Sequence, residues 1–286
     1  MTLREALTRA TRQLDASPDL RADAARDVAL LLRHALGISH VAMLADPGRV
    51  LTQDQQAAFD ALILRRMANE PIQYITGEQE FYGLSLRVTP TVLIPRPETE
   101  QLVEAVLAEV KQAGLISALR ILDVGTGSGA IAIALAHHLP SARITAVDLS
   151  GAALEVAASN AASHALAGRI QFIESDLLEA LPHREACFDA IVSNPPYVPT
   201  ADRASLHPQV RDYEPAAALF AGADGLDVYR RLIPQARSAL LPNGLLALEI
   251  GHGQRQAIAS MLSDWKDLRF LDDLQQIPRI ALARRQ

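Results

Sequence analysis

Apolar residues near the start of the chain recur at steps of three and four positions. Spacing of this kind places apolar side chains on one face of a helix. The recurring positions are Leu3, Leu7, Leu14, Val28, Leu31, Leu32, Ala35 and Leu36. The pattern predicts a small helical-bundle domain over residues 1–72. It leaves open whether this domain recruits a substrate or only packs against the rest of the protein.

Between residues 73 and 97 the pattern changes to short apolar and aromatic stretches. They include Tyr74, Ile75 and Phe81 and are broken by Gly77 and Gly83. Glycines between short apolar stretches are typical of strands joined by tight turns. We therefore expect short strands or a β-hairpin here, in a connector that precedes the second domain.

From residue 98 to residue 286, apolar stretches of strand length alternate with helical stretches. The first helix is predicted over residues 98–113. Seven strand candidates follow it, at residues 120–124, 143–147, 170–173, 188–192, 244–250, 268–271 and 279–283. This alternation predicts an α/β domain with a mostly parallel sheet covered on both faces. Because no clear helix separates the last two candidates, we expect the sheet to end in an antiparallel pair.

A glycine-rich loop follows the first strand candidate of this domain. The sequence is Asp123-Val124-Gly125-Thr126-Gly127-Ser128-Gly129, and a helical stretch begins at Ala130. Glycines let the backbone turn tightly and approach a ligand closely, because they carry no Cβ. In open α/β sheets, ligands bind beyond the carboxyl ends of the strands. We therefore predict that a nucleotide-like cofactor is bound by Gly125, Thr126, Gly127, Ser128 and Gly129.

Acidic residues end the next two strand candidates. Asp148, after the second, can accept hydrogen bonds from both hydroxyls of a ribose. Dinucleotides and S-adenosylmethionine both contain such a ribose, and Ala130 fits the last position of a dinucleotide fingerprint. These residues alone therefore leave the type of cofactor open. Asp176, after the third candidate, either accepts from an adenine amino group or caps a loop, and Leu177 could pack against the adenine ring.

Asn194-Pro195-Pro196-Tyr197, the NPPY motif, follows the fourth strand candidate and carries the clearest chemical signal in the chain. The Asn194 side-chain oxygen and the Pro195 carbonyl can accept from both N–H groups of a planar nitrogen, and the Tyr197 ring offers a face for stacking. Such hydrogen bonds strengthen as positive charge develops on that nitrogen, which favours methyl transfer. Prolines also commonly end strands. The tyrosine and the glycine-rich loop together favour the functional interpretation.

Composition and charge exclude several other classes of protein. The chain has 286 residues, of which 49% are hydrophobic, and a net charge of -6. The acidic balance argues against a protein that coats nucleic acid through phosphate contacts. Cys187 is the only cysteine, so no disulfide framework forms and a reducing compartment is expected. We expect a cytoplasmic protein without a signal peptide or membrane span, and the scattered histidines predict no metal site.

At these residues the chain resembles the class I S-adenosylmethionine-dependent methyltransferases that act on planar nitrogen, which have a Rossmann-like, seven-stranded, mostly parallel sheet. Three stretches narrow the resemblance: Ser-Asn-Pro-Pro-Tyr-Val-Pro at residues 193–199, Leu-Ile-Pro-Arg-Pro-Glu-Thr-Glu at 93–100 and Gln-Tyr-Ile-Thr-Gly at 73–77. They resemble the HemK/PrmC family, the peptide chain release factor glutamine N5-methyltransferases. The resemblance covers nearly the whole chain, including the helical domain and the hairpin connector.

The resemblance implies a cofactor, a partner and a set of site residues. The cofactor is S-adenosylmethionine, and the partner is a class 1 release factor, methylated on the side-chain amide of the glutamine in its Gly-Gly-Gln loop. Asn194, Pro195, Pro196 and Tyr197 would hold that glutamine. The cofactor would be bound by Gly125, Thr126, Gly127, Ser128, Gly129, Asp148, Asp176, Leu177 and Asn194, with Glu98 and Thr99 over its methionine part. Residues 214–225 would form a wall on the substrate side.

Three alternatives have chemistry that overlaps with this interpretation. A sister enzyme that methylates a glutamine of a ribosomal protein would carry the same NPPY motif and cofactor loop. An adenine-N6 or guanine-N2 nucleic-acid methyltransferase would need a pocket for an extruded base, and the acidic balance counts against it. A nicotinamide-dependent oxidoreductase has no evident use for the NPPY motif. Glu98 and Thr99 also have a structural alternative, because residues of a first helical turn often act as caps.

Overall fold

The computed structural model describes residues 1–112, 118–181 and 187–286. They form two compact units. One consists of residues 1–78 and 205–213, and the other of residues 79–204 and 214–286. The predicted helix at residues 98–113 is present, but its last residue lies outside the described part of the chain.

The helices and strands of the described residues alternate as expected for an α/β protein with a helical first part. In chain order the helices are α1 (Leu3–Asp15), α2 (Ala24–Leu36), α3 (His40–Ala45), α4 (Gln53–Met67), α5 (Ile72–Thr76), α6 (Pro97–Gln112), α7 (Ala130–His138), α8 (Gly151–Ser163), α9 (Pro208–Tyr213), α10 (Asp227–Ala239) and α11 (Arg255–Met261). The strands are β1 (Glu78–Phe81), β2 (Leu84–Arg87), β3 (Arg120–Val124), β4 (Arg143–Asp148), β5 (Ile170–Glu174), β6 (Phe188–Ser193), β7 (Leu240–Glu249), β8 (Lys266–Asp272) and β9 (Pro278–Arg284).

The first unit is a helical bundle in which α1 and α4 begin at capping boxes. Thr2 and Glu5 form a capping box at the start of α1, and Thr52 and Gln55 form one at the start of α4. Each box satisfies backbone N–H groups that have no partner inside the helix. The apolar faces of α1, α2 and α4 share one buried core.

A short segment from the second half of the chain also belongs to the helical unit. Residues 205–213 follow the NPPY motif closely in sequence and contain α9. The hydroxyl of Tyr213 donates to the carbonyl of Ala68 at 2.7 Å, and His207 Nε2 lies 3.2 Å from the carbonyl oxygen of Asp19. Nothing in the sequence pattern indicated this association, because it depends on contacts between distant parts of the chain.

The prediction of strand structure at Tyr74 and Ile75 is wrong. Both residues lie in the short helix α5, between Pro71 and Gly77, and are buried. Pro71 cannot donate a backbone hydrogen bond and is tolerated at a helix start, while Gly77 ends the helix in the left-handed conformation with φ of 79°. The predicted hairpin lies immediately beyond, where β1 pairs with β2.

The second unit contains the predicted seven-stranded sheet, in the order β5-β4-β3-β6-β7-β9-β8. Neighbouring strands are parallel from β5 to β7, whereas β9 runs antiparallel to both β7 and β8. This confirms the mostly parallel sheet with an antiparallel ending. The strand β7 begins at Leu240 rather than at the predicted residue 244, because an irregular register beside β6 lets the backbone pair earlier.

Both faces of the sheet are buried, as the apolar strands predict. Adjacent residues of β3 belong to opposite faces: Ile121 packs in a core with α6 and α7, and Leu122 packs in a core with α10 and α11. The parallel strands therefore end together at one edge, where loops can be held rigidly. Within the described residues, each helix is too short or too polar to traverse a lipid bilayer.

Candidate active site

The predicted site residues follow neighbouring strands at the carboxyl edge of the sheet. Val124, Asp148, Ser193 and Glu249 are the last residues of β3, β4, β6 and β7. Because these four strands are parallel and adjacent, their ends lie side by side. The fold therefore brings the glycine-rich loop, Asp148 at the end of β4 and the NPPY motif to a single edge of the sheet.

The glycine-rich loop turns sharply between β3 and α7. Gly125, Gly127 and Gly129 all have positive φ, at 73°, 55° and 84°. A Cβ at Gly129 would lie 3.0 Å from Ile133 Cδ1 and 3.1 Å from Ala157 Cβ, so this position packs against helices. At Gly125 and Gly127 a Cβ would meet no atom within 4 Å. The backbone of these two glycines borders open space, which is the arrangement that a close ligand requires.

Asp123 holds the glycine-rich loop and the start of α7 through hydrogen bonds. Its Oδ2 accepts from the Thr126 hydroxyl at 2.7 Å and from the backbone N–H of Ala132 at 3.2 Å. The side chain is fully buried, and this burial raises the pKa of Asp123 to about 7. Its Oδ1 is buried without a hydrogen-bond partner among the described residues. Asp123 therefore fixes Thr126 and the start of α7 and presents one further buried acceptor.

Asp148 joins the end of β4 to the same loop. One carboxylate oxygen accepts from the backbone N–H of Gly127 at 2.8 Å, and the other accepts from Ser150 N–H at 2.9 Å. Each oxygen of an ionised carboxylate has two lone pairs. Asp148 can therefore hold the loop and still accept hydrogen bonds from ribose hydroxyls.

A cavity of about 420 Å³ lies beyond β4 and β5. Its lining residues are Leu149, Glu174, Ser175, Asp176, Glu179 and Ala180. Asp176, which was predicted on the adenine side, is one of these lining residues, and its Oδ2 accepts from Arg231 at 2.7 Å. Leu177 is partly buried against the core that contains α10 and α11, with φ of 52°.

Sequence reasoning missed Leu149 in this cavity. Its side chain is 63% exposed although it is a large apolar residue. An exposed leucine directly after the acidic residue of β4 is an available apolar surface for a planar ring. The signal was present in the sequence as Asp148-Leu149, an apolar residue placed in a loop.

The NPPY motif is held at the end of β6 by contacts to two other elements, β3 and α6. The hydroxyl of Ser193 donates to the Val124 carbonyl at 2.7 Å, next to the glycine-rich loop. Asn194 Nδ2 donates to Thr99 Oγ1 at 3.0 Å, at the start of α6. Pro195 is buried, whereas Asn194 and Tyr197 are half-buried.

Tyr197 is embedded beside two glycines. A Cβ at Gly225 would lie 2.2 Å from the Tyr197 carbonyl oxygen, and a Cβ at Gly251 would lie 3.0 Å from its ring atom Cδ2. Burial raises the pKa of the Tyr197 hydroxyl to about 12. The ring is therefore a neutral phenol near neutral pH, suited to packing and stacking rather than to accepting a proton.

Gln254 ties the loops around Tyr197 together, and sequence reasoning missed it. Its Nε2 donates to the carbonyls of Tyr197 at 3.1 Å and Gly225 at 3.2 Å, while its Oε1 accepts from Gly251 N–H at 2.8 Å. The two N–H groups and the oxygen of one amide thus bind three separate loops. A glutamine at a helix start gives no local indication of this role.

Replacing Gln254 with alanine is expected to loosen the NPPY motif. The change leaves two carbonyls and one N–H without their partner, and each buried unsatisfied group costs about 1–3 kcal/mol. We expect a lower urea midpoint and a methyl-transfer rate reduced by about 10-fold or more. Gln256→Ala, an exposed position on the same helix, is the matched control and should leave both unchanged. Equal behaviour of the two variants would show that Gln254 does not hold the motif.

Residues 214–225 lie beside Val198, the residue that directly follows the NPPY motif. Val198 N–H donates to the Leu219 carbonyl at 2.9 Å, and Ala221 N–H donates to the Val198 carbonyl at 3.0 Å. Glu214 is anchored by Arg96, whose Nη2 lies 2.6 Å from both carboxylate oxygens. Burial raises the pKa of Glu214, and Arg96 opposes that shift. This stretch therefore backs the segment that follows the motif.

Glu98 and Thr99, both predicted over the methionine part of the cofactor, differ in their surroundings. Glu98 is exposed at the start of α6. Thr99 is buried, and its hydroxyl donates to Glu249 Oε2 at 2.7 Å while accepting from Asn194. Thr99 thus lies directly behind the NPPY motif. Over the described ranges, no three His, Cys, Asp or Glu side chains converge as metal ligands would.

Two protein-family models match this chain. The model of the PrmC N-terminal domain matches residues 5–77, and that of the methyltransferase small domain matches residues 99–208. A release factor glutamine methyltransferase of Koribacter versatilis is 43% identical, over 100% of this chain and 99% of that protein. Another, from Moorella thermoacetica, is 44% identical, again over 100% and 99%.

Solved structures agree with the fold at lower identity. A 16S rRNA methyltransferase of T. thermophilus superposes with a TM-score of 0.56 at 21% identity, covering 73% of this chain and 50% of that one. A methyltransferase of Pyrococcus furiosus gives a TM-score of 0.50 at 16% identity, covering 79% and 96%. These structures support the methyltransferase fold, and the end-to-end identity with the curated relatives supports a closer relationship: the chain belongs to the HemK/PrmC family of release factor glutamine methyltransferases.

Proposed function

We propose that this protein transfers a methyl group from S-adenosylmethionine to the side-chain amide nitrogen, N5, of the glutamine in the Gly-Gly-Gln loop of class 1 release factors. The names of the full-length relatives support the substrate. The NPPY motif at the end of β6, beside the glycine-rich loop, supports the chemistry. The proposed substrate acts in translation, so the protein works in the cytoplasm.

The orientation of the Asn194 amide is the observation that carries this proposal. Its Nδ2 is engaged by Thr99 Oγ1 at 3.0 Å. Since the oxygen and nitrogen of an amide lie on opposite branches of the same carbon, Oδ1 is directed away from Thr99. The Asn194 Oδ1 and the Pro195 carbonyl accept the two N–H groups of the glutamine amide. Their hydrogen bonds strengthen as that nitrogen gains positive charge.

The residues of the cofactor region fit S-adenosylmethionine. Open space borders the backbone of Gly125 and Gly127, and the cavity beside Asp148 is lined on one side by the exposed Leu149. Asp148 accepts the ribose hydroxyls, and Leu149 and Asp176 bound the adenine side. When bound, S-adenosylmethionine supplies an electrophilic methyl group attached to a sulfonium. The protein then has to orient the acceptor nitrogen and exclude water during the transfer. The nitrogen can lose its proton to solvent after it has gained the methyl group, so the scheme does not need Tyr197, a neutral phenol, as a base.

Labelled S-adenosylmethionine tests the proposed substrate. Incubation with the protein should label an unmethylated class 1 release factor, whereas a release factor with alanine in place of the Gly-Gly-Gln glutamine should remain unlabelled. Ribosomal proteins and RNA, assayed in parallel, test the sister enzyme and the nucleic-acid alternatives. Equal labelling of the altered release factor, or preferential labelling of ribosomal protein or RNA, would contradict the proposal.

A further inference from the structure

A chain of three polar side chains runs inward from the NPPY motif. Asn194 Nδ2 donates to Thr99 Oγ1 at 3.0 Å, and Thr99 Oγ1 donates to Glu249 Oε2 at 2.7 Å. Thr99 is 5% exposed and Glu249 is 2% exposed. Hydrogen bonds shielded from water in this way hold a defined geometry, because no solvent competes for the partners.

The direction of each hydrogen bond in this chain follows from the chemistry of the groups. A threonine hydroxyl has one proton, and an ionised carboxylate can only accept. The Thr99 proton therefore goes to Glu249, and Thr99 Oγ1 has only lone pairs to offer Asn194. Asn194 must then turn its NH2 group, not its oxygen, toward Thr99. If the Asn194 amide were flipped, lone pairs of its Oδ1 and of Thr99 Oγ1 would face each other.

We infer that Thr99 and Glu249 are positioning residues, which hold the Asn194 amide with its oxygen toward the amide nitrogen that is methylated. This inference rests on the proposed function for its substrate. It gives Thr99 a role behind the motif in addition to the predicted one over the cofactor. It also gives a role to Glu249, a buried carboxylate that no sequence pattern indicated.

The surroundings of Glu249 make the direction of the chain dependent on pH. Burial raises the pKa of Glu249 to about 7; nearby Glu98 contributes to this shift, while the hydrogen bond from Thr99 and the guanidinium groups of Arg279 and Arg96 oppose it. Two neutral phenols also face this region, Tyr197 and Tyr229, and the Tyr229 hydroxyl donates to the Glu249 backbone carbonyl at 2.8 Å. Once protonated, Glu249 can donate to Thr99, which frees the Thr99 proton to point at Asn194 Oδ1. The acceptor orientation of Asn194 is then no longer enforced.

Two substitutions test the Thr99 hydroxyl. Thr99→Val keeps the size of the side chain but removes the hydroxyl, whereas Thr99→Ser keeps the hydroxyl. Valine has the shape of threonine but neither donates nor accepts, so we expect kcat to fall by about 10- to 100-fold while the dissociation constant of S-adenosylmethionine changes less than about threefold. Serine keeps the hydroxyl and should restore most of the rate. A purely structural role of Thr99 would predict the same loss for both variants. Equal rates for Thr99→Val and wild type would overturn the inference.

Glu249→Gln tests the carboxylate. In the wild type, kcat is expected to rise with pH through about 7 as Glu249 ionises. Glu249→Gln cannot titrate and should lose that rise. Glu109→Gln, which also neutralises a buried carboxylate but lies on α6 beside Arg269 and Arg284, is the matched control and should keep the rise. Persistence of the rise in Glu249→Gln would contradict the inference.

The melting temperature shows whether Glu249→Gln loses activity because the positioning role is lost or because the protein is less stable. Because the folded protein holds the Glu249 proton more tightly than the unfolded chain does, ionisation between the ordinary carboxyl pKa and about 7 destabilises the folded state. At pH 8 Glu249→Gln should therefore melt at the same temperature as wild type or higher. Reduced activity together with a reduced melting temperature would indicate a structural role instead.

Nuclear magnetic resonance gives a readout that needs no release factor. The side-chain NH2 signals of Asn194 are identified by their absence from the spectrum of Asn194→Ala. We expect them to titrate with a midpoint near pH 7 in the wild type and to be independent of pH in Glu249→Gln. This result would stand even if release factor were not the substrate, so failure of the substrate assignment and failure of the positioning chain are distinguishable. Asn194 signals that do not titrate in the wild type would contradict the inference that Glu249 and Thr99 orient the Asn194 amide.

Discussion

Replacing Asn194 with alanine is expected to lower the rate of methyl transfer by about 1000-fold, while the affinity for S-adenosylmethionine stays within about threefold of wild type. The change removes the acceptor that opposes the charge developing on the glutamine nitrogen, and loss of one such group costs about 100- to 1000-fold in comparable sites. Loss of the hydrogen bond to Thr99 adds to this effect. Single-turnover kinetics and calorimetry measure the rate and the affinity separately.

A fall in the methyl-transfer rate without a fall in the affinity for S-adenosylmethionine would show that Asn194 acts mainly on the substrate. Asn194 was also predicted to contact the cofactor, and it lies close to Val124 and the glycine-rich loop through its neighbour Ser193. If cofactor binding and turnover fell together in Asn194→Ala, Asn194 would be a cofactor ligand first and a substrate ligand second. An unchanged melting temperature would show that the variant is folded.

Replacing Gly127 with valine is expected to weaken binding of S-adenosylmethionine by about 100-fold or more. Gly127 has φ of 55°, and a Cβ there would enter the open space beside the loop. A β-branched side chain at positive φ is strained by about 1–2 kcal/mol and would fill the space that the cofactor needs. The backbone N–H of Gly127 also donates to Asp148, so distortion here would misplace the residue proposed to bind the ribose.

Gly83→Val provides the matched control for Gly127→Val. Gly83 lies in the turn of the β1 and β2 hairpin with φ of 77°, and a Cβ there would also meet no atom within 4 Å. The strain is therefore similar, but the position lies outside the cofactor loop. Calorimetry should show near wild-type affinity for Gly83→Val. Equal loss of affinity in both variants would mean that strain, rather than occupation of the cofactor region, explains the effect.

The sequence predicted the sheet well because each strand carries its own signal. Strands such as β3 and β6 are short apolar stretches, and both are followed by residue types with distinctive chemistry. Parallel pairing then places the glycine-rich loop and the NPPY motif at the same edge. Local pattern and general rules of α/β topology therefore suffice to bring Gly127 and Asn194 to one edge.

The supporting residues could not be predicted in the same way. Glu249 ends an apolar strand and lies 150 positions from Thr99 in sequence, and Gln254 lies 57 positions from Tyr197. Such pairs form only when distant strands meet, and no local periodicity marks them. The same reason explains why residues 205–213 were not assigned to the helical unit.

Mass spectrometry of release-factor peptides shows directly whether this protein methylates the Gly-Gly-Gln glutamine. A class 1 release factor prepared without methylation is incubated with S-adenosylmethionine, with and without this protein, and its Gly-Gly-Gln peptide is fragmented. We expect the added mass of a single methyl group on the glutamine side chain, only when both the protein and S-adenosylmethionine are present. A methyl group on another residue, or an unmodified glutamine under conditions in which the protein binds the cofactor, would contradict this expectation.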